Sequence, residues 1–265
     1  YWLKVYQIPI AGRNSRGRPV VNLLPLDEGE RISSILPVDE YSEDKFVLMA
    51  TANGTVKKTA LTQYSRPRSV GLRAVDLVEG DHLVGTAIID DSSDVMLFSS
   101  EGKAVRFAST DARSMGRVSK GVRGMRLPEE HAVISMVIPE QDGFLLTVCE
   151  NGYGKRTKVE EFPTKGRGGK GMIAIQASER NGPLVGATQL FSGDEIMLIS
   201  DQGTMVRTRG DEVSVVGRNT QGVRIIRLKE NENLVSLARI AEPEEDEFAA
   251  SEGDEDATEA IGSDE

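Results

Sequence analysis

Very little in this 265-residue sequence suits acid-base, redox or metal chemistry: there is one cysteine, Cys149, and there are two histidines, His82 and His131. A lone cysteine excludes an intrachain disulfide framework, and it lies in the apolar run FLLTVC, where it reads as core. The histidines fall near corresponding turns with no second His or Cys at ligand spacing, so the expectation is no metal and no cofactor. Aromatics are 5% of the residues, too sparse for a platform that stacks unpaired bases. No apolar run approaches the roughly 20 residues that a membrane-crossing helix needs, which sets the expected location in the cytoplasm with no membrane partner. No secretory leader is visible, and because the chain opens inside a structural unit its native start is expected upstream. Paired acid-base carboxylates are missing too. Glu129-Glu130 and Glu160-Glu161 are sequence neighbours, which in a strand point to opposite faces, so no catalytic residue is assigned.

Charge and glycine are what the chain has in quantity. The 42 acidic residues outnumber the 32 basic ones, for a net −10. Twelve of the acids, with no Lys or Arg, lie between Ala241 and Glu265; without them the body holds 30 acids against 32 bases. That tail, with Phe248 as its one aromatic, is expected to stay disordered, leaving a structured unit over 1–240.

The 27 glycines fall into series. Gly54, Gly102, Gly152 and Gly203 each separate an apolar run from a basic one (TVKKT, KAVRF, YGKRT, TMVRT), at spacings of 48, 50 and 51. Gly71, Gly121, Gly171 and Gly222 open GLRAVDL, GVRGMRL, GMIAIQA and GVRIIRL, 50, 50 and 51 apart, and Gly17 precedes them in GRPVVNLLPL. Small residues form a third series: Ser34, Gly85, Ser135, Gly186 and Ser236. A period near 50 with about four short Val/Ile/Leu/Met runs per copy is strand chemistry, and Asn-Gly between such runs favours a tight hairpin. The expected fold is all-β: propeller-like blades of four strands, each needing its neighbours to bury its faces. Four copies are complete, at about 45–89, 94–138, 143–190 and 194–240, and a partial blade occupies 1–38. Trp2 and Tyr6 are expected to pack between blades.

The phase of charge within the repeat carries the functional signal. Windows running from the hairpin glycine to just past the next anchor glycine hold 27 of the 32 basic residues and 6 of the body's 30 acids. In a stacked array the same part of every repeat lands on the same edge, so these counts predict a basic rim. Its cations are Arg13, Arg16 and Arg18; Lys57, Lys58, Arg66, Arg68 and Arg73; Lys103, Arg106, Arg113, Arg117, Lys120, Arg123 and Arg126; Lys155, Arg156, Lys165, Arg167 and Lys170; Arg207, Arg209, Arg218, Arg224 and Arg227. The bland reading is that such residues merely solvate a surface, but solvating charges intersperse both signs. Few aromatics among many cations point to phosphate contacts, and so to duplex DNA as the partner.

The densest glycine cluster is KGRGGKG, Lys165 to Gly171. It satisfies G-x-G-x-x-G, yet MIAIQA behind it reads as a strand and not as the helix that dinucleotide binding needs. Two readings remain: a turn between strands, or a loop whose amides, Arg167 and Lys170 approach phosphates.

The repeat, this loop, and the stretches KVYQIP, GRPVVNLLPL, MATANGTVKKT, MLFSSEGKAVRF, NGYGKRT and VGRNTQGVRIIR, with the acidic tail, resemble the C-terminal DNA-wrapping domain of the bacterial DNA gyrase A protein. The resemblance implies a β-pinwheel of about six blades that exchange strands, and DNA wrapped with positive handedness. It also implies that the remainder of the gyrase A protein and the gyrase B protein are partners in ATP-driven strand passage and negative supercoiling at the nucleoid. The family's box, QRRGGKG, belongs to a first blade that this chain lacks; Arg167 to Gly171 matches five of its seven positions in a later blade. The family's catalytic tyrosine sits in an upstream domain, so none of the five tyrosines here is given that role. The related domain of topoisomerase IV, and a non-enzymatic propeller that binds an acidic protein, are the alternatives.

Overall fold

Each apolar run that precedes a hairpin glycine becomes a strand, and the basic run after it folds back alongside. In this computed structural model, which describes residues 1–12 and 14–241, β1 (Phe46–Thr51) and β2 (Thr55–Ala60) flank the Asn53-Gly54 turn, where Gly54 takes φ 81°. That angle costs glycine nothing and most other residues something. β3 (Leu83–Ile89) pairs with the other edge of β1. The later copies repeat the plan with β4 (Asp94–Ser99), β5 (Lys103–Ala108) and β7 (Val133–Val137), then β8 (Phe144–Cys149), β9 (Tyr153–Lys158) and β11 (Leu184–Leu190), then β12 (Glu195–Ser200), β13 (Met205–Arg209) and β15 (Leu234–Ile240).

The fourth strand of a sheet comes from the next copy. β6 (Val122–Arg123), β10 (Met172–Ile173) and β14 (Val223–Arg224) lie just past the second glycine series and pair with β2, β5 and β9, giving three four-stranded antiparallel sheets. Glycine is required at the crossing: Gly121 has φ 96°, and a Cβ there would sit 2.6 Å from the Val56 carbonyl. The hairpin glycine completes the joint, because the Gly54 carbonyl accepts the Gly124 and Met125 amides, as Gly102 does for Ala174 and Ile175 and Gly152 for Ile225 and Ile226. The fourth sheet has three strands among the described residues, in the order β13-β12-β15.

The third series of small residues seats the inner strands of adjoining blades. A Cβ on Gly186 would lie 2.5 Å from Leu237, and the Ser135 hydroxyl accepts the Ala187 amide at 3.0 Å. In the three four-stranded sheets both faces are covered, whereas β13 and β15 of the last sheet keep exposed positions. In β4, Leu97 packs into a core shared with Leu48 and Val56 of the sheet before it, whereas Met96 and Phe98 face Leu145, Cys149 and Phe162 of the sheet after it. A third core joins Leu146 and Val148 to Ile196 and Leu198.

Residues 1–44 contribute two short 3-10 helices, Val5–Gln7 and Val20–Asn22, and the described ones contain no strand. Trp2 is half-buried against Tyr41 and Tyr64, beside Val47 and Met49. Tyr6 does not pack as expected; it is exposed, at the surface of the 3-10 turn. The acidic tail beyond Ala241 and the rim assignment of Arg13 lie outside the described residues.

Candidate nucleic-acid interface

In every sheet the third strand of a copy is innermost and the basic second strand is on the far side, with the donated strand beyond it in the three four-stranded sheets. The basic phase of the repeat therefore occupies the outer edge of the array. Exposed there are Arg66, Arg68, Arg73, Arg113, Lys120, Arg123, Arg126, Lys165, Arg167, Lys170, Arg207, Arg209, Arg224 and Arg227, along with Arg16 and Arg18 on the N-terminal segment.

Not every cation of that phase faces outward. Lys57, Lys58, Lys155 and Arg156 are buried, which removes them from direct contact with a ligand. The cause is the double-faced packing: in a half-exposed strand one face of TVKK would reach water, but here the strand is covered on both sides. The residue four places after the hairpin glycine, basic in each copy, has a joining task. Lys58 pairs with Asp91 and donates to the Ser109 carbonyl, and its ammonium lies over the Phe46 ring. Arg156 bonds the Val213 carbonyl at 2.8 Å and the Asp211 carboxylate at 2.6 Å, with its guanidinium over Phe144. Arg106, half-buried, reaches Asp94 at 2.8 Å and the Val159 and Phe162 carbonyls of the next copy. These bonds fasten the 3-10 turn of the following repeat. Arg207, in the last sheet, pairs with Glu195 of its own blade, as Lys103 does with Glu101 at 2.5 Å.

The loops just ahead of the donated strands share a pattern that composition did not disclose. Gly-Arg-x-x-x-Gly precedes all three, at Gly116–Gly121, Gly166–Gly171 and Gly217–Gly222, and recurs in the sequence at Gly12–Gly17, so KGRGGKG is one version of a recurring rim loop. Its arginine reaches back to the previous loop: Arg167 donates to the Arg123 carbonyl at 3.0 Å and the Asp111 carbonyl at 2.9 Å, and Arg218 donates to the Ile173 carbonyl at 3.2 Å. The Arg126 amide bonds the Gly169 carbonyl at 2.9 Å, and the Gln176 amide the Thr220 carbonyl at 3.0 Å. Successive loops thus form a hydrogen-bonded belt along the outer edge. Two amides of the 165–171 loop are spent inside it, Lys165 on the Arg106 carbonyl and Gly168 on the Gly124 carbonyl. The loop is therefore less an amide cradle than a rigid support for the side chains of Lys165 and Lys170. Arg117 and Arg218 are half-buried within the belt.

Arg180 is a rim cation that counting by phase missed, since it lies in the turn before β11. Its guanidinium stacks on Tyr153, 4.4 Å from the ring centroid, and Arg224 covers the same ring at 5.2 Å while bonding its hydroxyl. A Tyr in YGKR next to an arginine-bearing turn one strand later was the available signal.

The remaining candidates hold no reactive arrangement. His131 shares a hydrogen bond of 3.0 Å with the Ser100 hydroxyl, and His82 is exposed. Among the described residues no group of three or more His, Cys, Asp and Glu could hold a metal ion, and no helix is long and apolar enough to cross a membrane. Burial pushes the Cys149 thiol up to about 12, so it stays protonated. Glu160 and Glu161 lie in the 3-10 helix Val159–Glu161 and not in a strand, and the Glu161 carboxylate accepts the Arg218 amide at 2.9 Å.

The family model described as DNA gyrase C-terminal domain, beta-propeller, matches residues 1–39, 45–90, 93–140, 143–189 and 194–241. The chain is 56% identical over 262 residues to the DNA gyrase A protein of Salmonella typhimurium, covering 97% of this chain and 30% of that protein. It is 54% identical to the gyrase A protein of Escherichia coli K12 over the same shares, so it spans about a third of the length of these relatives. Among solved structures, a DNA gyrase A C-terminal domain superposes with a TM-score of 0.77 at 27% identity, covering 91% of this chain and 78% of that one. A C-terminal domain of DNA topoisomerase IV superposes at 0.79 with 23% identity, over 84% and 70% of the two chains, a likeness of fold alone.

Proposed function

The chain belongs to the DNA gyrase C-terminal domain family, and we propose that it binds and wraps duplex DNA around the outer edge of its blades. It does so without reading sequence. In this role it is the part of the gyrase A protein that presents a DNA segment for strand passage by the A and B proteins together, the ATP-driven reaction that yields negative supercoils in the bacterial cytoplasm. It performs no bond-breaking step itself; the catalytic groups reside elsewhere in the enzyme.

The observation that carries this reading is the segregation of exposed cations onto the belt of loops and donated strands in consecutive copies. Each contacted phosphate releases counterions, and contacts to phosphate position a duplex while carrying no direct sequence information. The outward side chains of Arg113, Lys120, Arg123, Arg126, Lys165 and Lys170 supply the middle of this track, with Arg66, Arg68 and Arg73 on one side and Arg209, Arg224 and Arg227 on the other. Bending a 20 to 30 base-pair segment costs of order 1 to 6 kcal/mol, which many such contacts offset together. Arg167, Arg218 and the buried basic residues maintain the track and do not touch DNA.

Two duplexes of equal length and unrelated sequence test the reading. They should bind with equal affinity and compete fully with each other, while an acidic protein of similar charge should compete far less. Strong preference for one sequence, or indifference to both duplexes at low salt, contradicts it.

A further inference from the structure

The residue three places after the hairpin glycine alternates along the chain: Lys57, Val105, Lys155, Val206. The same place in the blade thus accepts either an ammonium or a branched apolar side chain. Lys57 is 1% exposed and Lys155 0%. Neither ammonium meets a carboxylate. Lys57 donates to the Ala74 carbonyl at 2.5 Å and to the Arg117 carbonyl, and Lys155 to the Gly217, Arg218 and Thr220 carbonyls at 2.8, 2.5 and 3.2 Å and to the Thr220 hydroxyl at 3.1 Å. Burying an unpaired cation is costly, and stability alone would favour the valine that the other two sheets carry. The Lys155 socket is built from the Gly-Arg-x-x-x-Gly loop of the next copy, and the Lys57 socket from the Arg117 carbonyl of such a loop together with the Ala74 carbonyl of its own copy, just where Lys120, Arg123 and Arg224 are presented outward.

We propose that Lys57 and Lys155 are positioning residues for DNA binding: Lys155 gathers the carbonyls of a rim loop beneath the surface and Lys57 ties a rim-loop carbonyl to its own copy, so that the loop's cations face the phosphates over a buried positive charge that no carboxylate pairs directly. The inference rests on the DNA-wrapping reading above. Carbonyl oxygens turned inward toward an ammonium no longer present their negative ends to a phosphate. The buried charge also adds to the rim's potential in a place where counterions cannot displace it.

The groups facing each amine are few. Around Lys57 they are Arg117 and Asp76, and around Lys155 they are Glu161, Cys149 and Arg218. Burial dominates at both, lowering each amine to about 8. Two opposite trends follow as pH rises through that value. An amine that is harder to protonate in the fold than in the unfolded chain weighs on stability below its folded pKa, and that burden lifts above it, so the protein becomes more stable. DNA binding weakens over the same interval because the buried charge is lost. A lysine that served packing alone would change stability and leave affinity level.

The test compares the wild-type chain with a Lys57→Val, Lys155→Val double variant, which installs the residue that Val105 and Val206 already supply in equivalent sheets. Duplex affinity is measured at about pH 7 and about pH 9, near 50 mM salt, with thermal unfolding alongside. At the lower pH the variant should bind about tenfold more weakly, for two charges near the phosphate track. Wild-type affinity should fall toward the variant's at the higher pH, while the variant's stays level. Equal affinity of the two proteins at the lower pH, or the same fall in both, overturns the proposal. Should the variant unfold, the wild type decides alone: an affinity that is flat with pH while stability rises overturns it. A wild type that binds no duplex at either pH removes the DNA reading as well, which separates that failure from this one.

Discussion

Replacing Lys120, Arg126, Lys165 and Lys170 with glutamine should make DNA binding markedly less sensitive to salt without unfolding the protein. All four side chains are exposed, and none joins an ion pair among the described residues. Arg126, Lys165 and Lys170 flank one belt joint, where the Arg126 amide meets the Gly169 carbonyl, and Lys120 lies in the rim loop just before Arg126. Each phosphate contact contributes about −0.9 to the slope of log K against log salt, so the loss of four should make it shallower by about 3.6. Surface substitutions of this kind change stability by no more than about 0.5 kcal/mol, so the thermal midpoint should hold. Anisotropy of a labelled duplex across a salt series measures the slope. Arg207→Gln is the matched control: that guanidinium is engaged by Glu195, so its loss should alter the slope by less than a full contact. A quadruple variant whose slope stays within about 0.5 of the wild type would refute the reasoning that these exposed cations carry the phosphate contacts.

Other expected outcomes separate the structural cations and glycines from the rim. Arg156→Met should cost about 2 kcal/mol of stability, since it leaves the Val213 and Asp211 carbonyls without their donor, while the salt slope stays as in the wild type. Gly121→Ala combines a φ of 96° with a Cβ 2.6 Å from the Val56 carbonyl and should lower the thermal midpoint by several degrees, at about 2 to 4 °C per kcal/mol. Gly203→Ala, at φ 80° with nothing within 4 Å of the added atom, should cost only the backbone term of about 1 to 2 kcal/mol. Deletion after Ile240 removes twelve acids and should tighten DNA binding, more at about 50 mM salt than at about 200 mM, because screening weakens both competitors; unchanged affinity at the lower salt would assign the tail to solubility alone.

The blades were legible because their grammar is written in glycine. Gly54 and Gly121 answer two different geometric demands, a hairpin turn and a backbone crossing at contact distance, and both demands recur with the period of the fold. The charge phase was legible for a related reason: stacking sends equivalent segments to one edge. What stayed hidden was burial within that phase. Lys57 and Lys58 are adjacent and point to opposite faces of β2, and a sequence offers no sign that both faces are covered. Only the alternation of Lys and Val three places after the turn, and of Phe46, Asp94, Phe144 and Glu195 at the start of the first strand, hints that successive blades are joined in two ways. The 165–171 loop illustrates the same limit. Its glycines suggested free amides, but two of the loop's amides are committed to carbonyls of the preceding repeat.

The most direct test of the account is topological. A relaxed plasmid is incubated with increasing amounts of the chain at low salt, treated with a nicking-closing topoisomerase, and deproteinised before its linking number is read. Wrapping around the cationic edge predicts a stepwise shift in linking number that grows with protein and disappears as salt rises, and the handedness that the family resemblance implies makes that shift positive. A distribution that does not move at saturating, demonstrably bound protein would mean that the chain holds DNA without wrapping it, and would contradict the central claim.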